Sequence, residues 1–245
     1  MGAMKGVILG LNPQAVLVDL GHDLPPQDIR AAALVLAGAA PYFPPGTIHL
    51  AVVDPGVGSR RRGLAARTHG HFWVGPDNGL FHLAFAETTE LTIVSLENPA
   101  FFRPEVSATF HGRDIFAPVA AHLSLGVELF RLGPTLTAPV TLPWPTPVFS
   151  PQKVQGEIIY VDRFGNLVSN LKGAALKTWL AGDDFGLQAG PLALRALART
   201  YAEGAPGEFL ALIGSHGYLE IACALDNAAR RLEMGVGLPL EIFKA

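Results

Sequence analysis

The chain has 245 residues, of which 49% are hydrophobic and 16% are charged. This composition provides a large apolar core and excludes an intrinsically disordered chain. The formal net charge is −3, and the sequence has no basic block that would indicate a nucleic-acid partner. No apolar run approaches the roughly 20 residues of a membrane span, and the first ten residues lack a secretion signal. We therefore expect a soluble, cytoplasmic protein with no membrane partner.

Strand-like and helical segments alternate over residues 1–133. A helix is predicted over residues 29–40, after the Pro-Pro-Gln-Asp sequence that ends at Asp28. Continuous apolar runs that are typical of strands occupy residues 47–53, 71–75 and 91–96. This alternation predicts an N-terminal α/β domain whose sheet is mostly parallel.

Proline recurs at positions 134, 139, 143, 145, 147 and 151, so we interpret residues 134–151 as a stiff linker. Beyond it, two pairs of apolar runs flank the turns Gly165-Asn166 and Gly214-Ser215-His216-Gly217. Such pairs are typical of antiparallel hairpins. Residues 152–245 are therefore predicted to form a smaller, antiparallel, β-barrel-like domain.

The first polar cluster is Asp54-Pro55-Gly56-Val57-Gly58-Ser59, followed by three arginines at positions 60–62. A carboxylate at the carboxyl end of a parallel strand lies where α/β sheets bind ligands. The alternative is an ordinary Asp-Pro-Gly turn beside solvated arginines. The motif alone leaves both interpretations open.

A second cluster, Phe110-His111-Gly112-Arg113-Asp114, precedes an apolar helix predicted to end at Leu125. The first turn of that helix favours an anion beside His111. The alternative is that Asp114 caps the helix while His111 binds a loop carbonyl. A serine nucleophile at Ser215 is rejected, because the G-x-S-x-G elbow is absent and the adjacent His216 would point to the opposite face of a strand.

Together these segments resemble the S-adenosyl-L-methionine (SAM) hydroxide adenosyltransferase family, which is related to the SAM-dependent fluorinases and chlorinases. The similarity extends over nearly the whole chain in family order, and the ordered set is more specific than any single motif. The matching segments are residues 4–9, 53–59, 75–79, 110–114, 161–166 and 214–220.

The resemblance implies a catalytic trio that handles a water molecule: Asp54, Arg61 and His111. Arg61 is flanked by two further arginines, so its choice among the three rests on motif position alone. In the halogenases, a tyrosine stands at the position that matches Asp54. A carboxylate repels a halide and can orient water, so Asp54 favours water over chloride as the nucleophile.

The resemblance also implies a substrate site in the β domain. It assigns Asp162 and Ser215 to the methionine ammonium and carboxylate groups, and Asn166 to the adenine edge. Further candidates are Glu220 for the ammonium group, Tyr218 for closing the pocket, and Phe110 and Gly112 beside the catalytic histidine. No metal and no cofactor other than the substrate is implied. Family members are homotrimers, and their sites lie between one subunit's first domain and a neighbour's second.

The start of the chain departs from the family pattern. Family members begin with a strand that carries a Thr-Asp-Phe-Gly motif, whose aspartate binds the ribose hydroxyls. Residues 1–6 here correspond to the helix after that strand. We expect that the start is chosen too late, because a sheet without an inner strand leaves backbone groups unpaired.

The resulting hypothesis is hydrolysis of SAM to adenosine and methionine by attack of water on the ribose C5′. Three alternatives stay open: a SAM-dependent halogenase, a non-catalytic adenosine- or SAM-binding protein, and a metallohydrolase. The last would need metal ligands from the set Asp54, Asp77, His111, Asp114 and His122, although the sequence has no compact ligand motif.

Overall fold

The computed structural model describes residues 1–86 and 88–244. The chain divides into two compact units, Met1–Leu142 and Pro143–Ala245. The division lies inside the proline-rich segment 134–151.

The N-terminal unit combines four α-helices with one sheet. Its helices are α1 (Gly2–Leu11), α2 (Ile29–Ala39), α3 (His82–Phe85) and α4 (Ala117–Ser124), with a π-helical turn at Gly112–Phe116 and 3₁₀ turns at Ala40–Tyr42, Pro99–Phe101 and Leu129–Arg131. Its strands are β1 (Ile48–Leu50), β2 (Gly63–Thr68), β3 (His71–Pro76) and β4 (Thr92–Ser95).

The N-terminal sheet is mixed, so the prediction of a mostly parallel sheet was wrong. The strand order is β1-β3-β2-β4, and only the β1–β3 pair is parallel. The physical reason is a tight hairpin that joins β2 to β3. Thr68 pairs with His71, and the two loop residues, His69 and Gly70, both have positive φ. Such two-residue turns connect antiparallel strands.

The β1 strand carries the chain toward the first polar cluster. It is shorter than the predicted run of residues 47–53, although Ala51 N–H still donates to the Val74 carbonyl at 3.1 Å and extends the pairing with β3. Asp28 caps the N-terminus of α2, because its carboxylate accepts a hydrogen bond from Ala31 N–H at 2.9 Å. Buried apolar residues of β2, β3 and β4 pack between α2 on one face and α4 on the other.

The C-terminal unit is built on a nine-stranded sheet. Its strands are β5 (Val148–Phe149), β6 (Lys153–Val161), β7 (Leu167–Lys172), β8 (Phe185–Ala189), β9 (Leu192–Leu194), β10 (Leu197–Ala198), β11 (Phe209–Ile213), β12 (Tyr218–Cys223) and β13 (Pro239–Lys244). Its helices are α5 (Gly173–Leu180) and α6 (Ala228–Leu232), with a 3₁₀ turn at Tyr201–Glu203.

The order of the C-terminal sheet is β10-β11-β12-β7-β6-β13-β8-β9, with β5 also paired to β6. Every pair is antiparallel except β10–β11. This sheet curls into a half-barrel, which agrees in part with the predicted β-barrel-like form. Because β6, β7 and β12 are neighbours, the loop after β6 lies near the β12 residues. None of the described helices is long and apolar enough to cross a membrane.

Candidate active site

The first predicted site contains a buried ion pair between Asp54 and Arg61. Arg61 Nε donates to Asp54 Oδ1 at 3.0 Å, and Arg61 Nη2 donates to Asp54 Oδ2 at 2.5 Å. The side chains are 9% (Arg61) and 5% (Asp54) exposed. A two-point contact between a guanidinium and a carboxylate fixes both distance and orientation. The turn after β1 and the loop before β2 therefore hold each other in place.

His111 joins this pair from a distant part of the chain. Arg61 Nη2 lies 2.9 Å from His111 Nδ1. Because a guanidinium nitrogen only donates, Nδ1 must accept, and the proton of the neutral imidazole resides on Nε2. Burial and the neighbouring Arg61 charge lower the pKa of His111 below its ordinary value, against the opposing effect of Asp54. The imidazole is therefore neutral at pH 7.

Only the middle arginine of the three takes part in this contact. The Arg61 guanidinium also lies over the Phe116 ring, 5.3 Å from its centroid. Arg62 points to another cluster, where its Nε donates to Asp77 Oδ2 at 2.9 Å. Arg60 is exposed. The structure therefore distinguishes three residues that the sequence pattern could not separate.

A close backbone approach fixes the two loops that carry the trio. Gly58 has φ +77°, and a Cβ atom built on it would lie 2.3 Å from the Ala108 carbonyl oxygen. No other residue type fits that space without moving the backbone. The segment 54–61 therefore lies directly against the segment that precedes His111.

Phe110 and Gly112 lie beside His111 and support its loop. The Arg113 guanidinium lies 5.1 Å from the centroid of the Phe110 ring. Gly112 is buried, with Met4 of α1 next to it. Within this unit, their observed contacts are with the protein's own side chains, and the predicted substrate contacts of both residues stay predictions.

Asp114 is fully buried and organises the loop of residues 103–114. It accepts hydrogen bonds from Ser107 N–H at 2.9 Å and from Arg113 Nε at 2.6 Å, and Arg103 lies 3.6 Å away. The hydrogen bond from Arg113 lowers the pKa of Asp114. The carboxylate therefore stays charged and ties together the long loop that carries His111.

Asp77 and Asn78 hold the neighbouring turn. Asp77 binds Arg62 and also accepts a hydrogen bond from Val140 N–H at 2.7 Å. Asn78 Nδ2 donates to the Val53 carbonyl at 2.8 Å, directly before Asp54. The predicted metallohydrolase set does not converge, since among residues 1–86 and 88–244 no three histidine, cysteine or acidic side chains could hold a metal ion.

In the C-terminal unit, Asp162 and Asn166 form one hydrogen-bonded turn. Asp162 Oδ1 accepts from the backbone N–H groups of Phe164 and Asn166 at 2.9 and 2.8 Å. Asn166 Nδ2 donates to Asp162 Oδ2 at 2.9 Å. This contact sets the orientation of the buried Asn166 amide, because a carboxylate can only accept. The amide oxygen is therefore free of the carboxylate.

Glu220 of β12 is buried near this turn. It is 4% exposed, and the Tyr201 hydroxyl donates a short hydrogen bond to its Oε1. Burial raises the pKa of Glu220, with a further increase from the Asp162 carboxylate, while the Tyr201 hydrogen bond opposes both. Two carboxyl groups thus lie close together, an arrangement that attracts a cation.

Ser215 lies in the turn between β11 and β12, next to Glu220. The turn is closed by Gly214 N–H, which donates to the Tyr218 carbonyl at 2.9 Å. A Cβ on Gly214 would lie 2.1 Å from Glu220 Oε2, so the carboxyl group packs directly against the turn. Ser215 is exposed and Tyr218 is half-buried. The turn that carries Ser215 therefore packs against Glu220, whereas the predicted substrate contacts of Ser215 and Tyr218 stay predictions.

Sequence reasoning missed two side chains that contact predicted site residues. Phe116 lies under the Arg61 guanidinium, and its position five residues after His111 on a helical turn is a usable signal. Tyr201 lies 19 residues before Glu220, outside any strand or motif. Nothing in the local sequence marks it.

Comparison with known proteins shows the family of the chain. Residues 1–133 match the SAM hydroxide adenosyltransferase N-terminal domain, and residues 156–241 match the C-terminal domain of the same family. A protein of Thermus thermophilus named (R)-S-adenosyl-L-methionine hydrolase is 39% identical, and the alignment covers 99% of this chain and 94% of that protein.

A solved structure of an uncharacterized conserved protein from Thermotoga maritima has a TM-score of 0.92 at 37% identity, with 99% of this chain and 94% of that chain covered. A fluorinase of an Actinoplanes species is more distant, at 25% identity over 98% of this chain and 92% of that protein. The chain belongs to the SAM hydroxide adenosyltransferase family.

Proposed function

We propose that the protein hydrolyses SAM to adenosine and L-methionine, with no cofactor other than the substrate. The observation that carries the proposal is the Arg61 guanidinium, which contacts both Asp54 and His111 in a buried position. The name of the Thermus thermophilus relative supports the choice of substrate. The expected cytoplasmic location stays a prediction.

The trio offers a place for one water molecule. Four of the five Arg61 N–H groups have acceptors in Asp54, His111 and the Arg62 carbonyl, which leaves one Nη1 hydrogen without an acceptor among the described residues. A water that accepts this hydrogen lies beside a full positive charge, which favours its ionised form. This Nη1 hydrogen lies away from the Nε–Nη2 edge that binds Asp54, so in the proposed scheme a second water passes the proton of the reacting water to a spare lone pair of the Asp54 carboxylate.

Asp54 is the proton acceptor in this scheme. His111 Nδ1 already accepts from Arg61, and Nε2 carries the proton, so the neutral imidazole can donate to the water but has no free lone pair for its proton. The water oxygen forms a bond to C5′ while the C5′–sulfur bond breaks. The electron pair stays on sulfur as the neutral thioether of methionine, and the water proton passes to Asp54 and then to solvent. Alignment of the three atoms supplies much of the acceleration.

The β-domain residues would hold the remainder of the substrate. Asp162 faces the methionine ammonium group, with Glu220 as a second carboxyl group. Ser215 binds the carboxylate. Asn166 presents its amide oxygen to the adenine amino group, since its Nδ2 is bound to Asp162. Tyr218 closes the pocket, and Phe110 and Gly112 complete the wall next to His111.

We further propose that the protein is a homotrimer, in which the trio of one subunit completes the β-domain site of its neighbour. Apolar side chains that are exposed in the single chain, such as Phe130 at 65% and Phe164 at 78%, support association. The trio and the β-domain residues lie in different units of the chain. An assembled trimer is therefore the form in which activity should be measured.

The direct experiment is incubation of the pure protein with SAM in heavy-oxygen water. We expect adenosine that carries the label in its 5′-hydroxyl group, with undiminished yield after chelation of metals. Unlabelled adenosine would refute attack by water. Chloride-dependent 5′-chloro-5′-deoxyadenosine would indicate a halogenase, and tight adenosine binding without turnover would indicate a non-catalytic binding protein.

A further inference from the structure

Tyr201 is the main contact of the C-terminal site that the proposed mechanism does not use. The residue is 46% exposed, yet its hydroxyl reaches the buried carboxyl group of Glu220. The hydroxyl is a donor to Glu220, and burial beside two carboxylates raises the pKa of Tyr201 further above its ordinary value. The residue therefore stays neutral and keeps its proton on the oxygen that faces Glu220.

The surroundings of Glu220 explain why such a donor is needed. The charged and titratable groups that act on it are Asp162 at the end of β6, Tyr201 in the 3₁₀ turn, and His216 in the turn before β12. A second carboxylate nearby and the loss of water both favour the protonated form of Glu220. The Tyr201 hydrogen bond favours the carboxylate.

We propose that Tyr201 is a positioning residue that holds Glu220 as a carboxylate beside Asp162, so that the two acidic groups select substrates that carry an α-ammonium group. The inference rests on the proposed function, because it assigns a specificity to that same site. A cation placed between the two carboxylates relieves their repulsion. Binding of the ammonium group then stabilises the charge that Tyr201 maintains on Glu220.

Packing at Gly214 supports a fixed position for the carboxyl group. Glu220 Oε2 lies where a Cβ of residue 214 would be, and Oε1 is held by Tyr201. The carboxyl group thus has a contact on each oxygen and little freedom to rotate away. Removal of the hydroxyl leaves the packing in place and takes away only the donor.

The test uses Tyr201→Phe in the full-length protein, with Tyr42→Phe as the matched control, since Tyr42 is 81% exposed in the N-terminal unit. Three compounds are compared: SAM, decarboxylated SAM, which keeps the ammonium group, and 5′-dimethylsulfonio-5′-deoxyadenosine, which lacks it. They are measured as substrates or, where turnover is slow, as competitive inhibitors.

We expect Tyr201→Phe to raise KM about tenfold for both compounds that carry the ammonium group, with kcat nearly unchanged, because a hydrogen bond to a charged group is lost. The dimethylsulfonium compound should show no difference. The acid limb of kcat/KM should move to higher pH, because Glu220 loses the donor that stabilises its charge. A merely structural role would weaken all three compounds equally and leave the pH profile in place.

Equal losses for all compounds, or no loss at all, would overturn the inference. If Tyr201→Phe fails to fold, Glu220→Gln provides the same comparison, since it removes the charge at nearly constant shape. A wild-type protein that forms no adenosine would refute the proposed function alone. Calorimetric binding of SAM to the wild-type and Tyr201→Phe proteins would then decide the inference, because only a lower affinity of Tyr201→Phe agrees with it.

Discussion

The Arg61 guanidinium connects the carboxylate and the imidazole of the trio. Its planar group donates to Asp54 at two points and to His111 at a third. A lysine has the same charge but not the forked geometry that binds a carboxylate through two atoms. The position of the proposed water should therefore depend on the shape of the cation as well as on its charge.

The first prediction tests this dependence. Arg61→Lys should lower kcat/KM by about 10²-fold or more, because preorganised donors at a reacting oxygen contribute on this scale. Arg60→Lys is the matched control, since Arg60 is exposed next to it. Steady-state release of adenosine measures both. Equal losses in the two variants would show that the effect lies in the loop and not in the guanidinium.

The second prediction concerns the proton on His111. Nitrogen-detected NMR should show the Nε2–H tautomer, with a titration midpoint below 6.5, because burial and Arg61 disfavour the charged ring. Since the neutral form persists to lower pH than in a free histidine, any acid limb due to His111 must also lie below 6.5. The signal is assigned by its absence in His111→Gln. An Nδ1–H tautomer would contradict the proton acceptor proposed above.

At the scale of elements, the loop of residues 103–114 depends on a single carboxylate. Asp114→Asn keeps the shape but loses the charge that Arg113 and Arg103 face. We expect the free energy of unfolding to fall by about 2 kcal/mol, which is the scale of a hydrogen bond to a charged group. Chemical denaturation measures the change. Glu105→Gln, an exposed change in the same loop, should be nearly neutral, and a comparable loss there would argue against a special role for Asp114.

Sequence patterns predicted some elements well. The helix predicted over residues 29–40 is observed as Ile29–Ala39, and the hairpin around Gly165-Asn166 is present between β6 and β7. In both cases the pattern is local: a capping aspartate in one, a glycine turn between apolar runs in the other. Such signals do not depend on the rest of the chain.

Other elements could not be predicted, because their own residues carry little strand signal. Strand β2 has the sequence Gly-Leu-Ala-Ala-Arg-Thr, which is weak in strand-forming residues and is held by β3 and β4 on its two sides. Because β2 was not predicted, the sheet was expected to be mostly parallel. The segment 192–197 likewise contains β9 and the first residue of β10.

The site shows the same division. The resemblance named Asp54, Arg61 and His111, but only the fold separates Arg61 from its two neighbours, because Arg62 is bound to Asp77. Tyr201 was missed since its contact with Glu220 depends on the path of β10 and the following turn. Predicted roles of these residues remain to be tested by the variants above.

At the scale of the whole molecule, acid should weaken the fold through the histidine pair in the N-terminal core. His49 Nε2 lies 3.2 Å from His71 Nδ1, and His49 stacks on Trp73 with centroids 4.4 Å apart. Burial lowers the pKa of His49 to about 4. An unfolded histidine takes up its proton near 6.5, so lowering the pH between these values favours the unfolded chain.

The free energy of unfolding should therefore fall by about 2 kcal/mol through His49 between pH 7 and pH 5. Urea denaturation at the two pH values measures this change. His49→Gln should reduce the pH dependence, whereas the exposed His22→Gln should keep it. An identical slope in the wild-type protein and His49→Gln would show that other groups cause the acid sensitivity.

The proposed trimer makes a prediction about mixed assemblies. Asp54→Asn removes the trio in one domain, and Asp162→Asn removes the predicted ammonium contact in the other. If sites combine domains of two subunits, co-expression of these inactive variants should restore a fraction of the wild-type rate, because some sites receive both intact halves. Light scattering checks the trimer mass. Activity that stays absent in a confirmed mixed trimer would place each site within one subunit.

The close approach at Gly58 limits how the nucleophile could be redesigned. Because the Ala108 carbonyl occupies the space of any side chain at position 58, a library that varies this residue would mostly return misfolded protein. Substitutions that are designed to make the site accept halides or other anions should be made at Asp54 and His111 themselves. The loop between Asp54 and Arg61 can be treated as a fixed part of the scaffold.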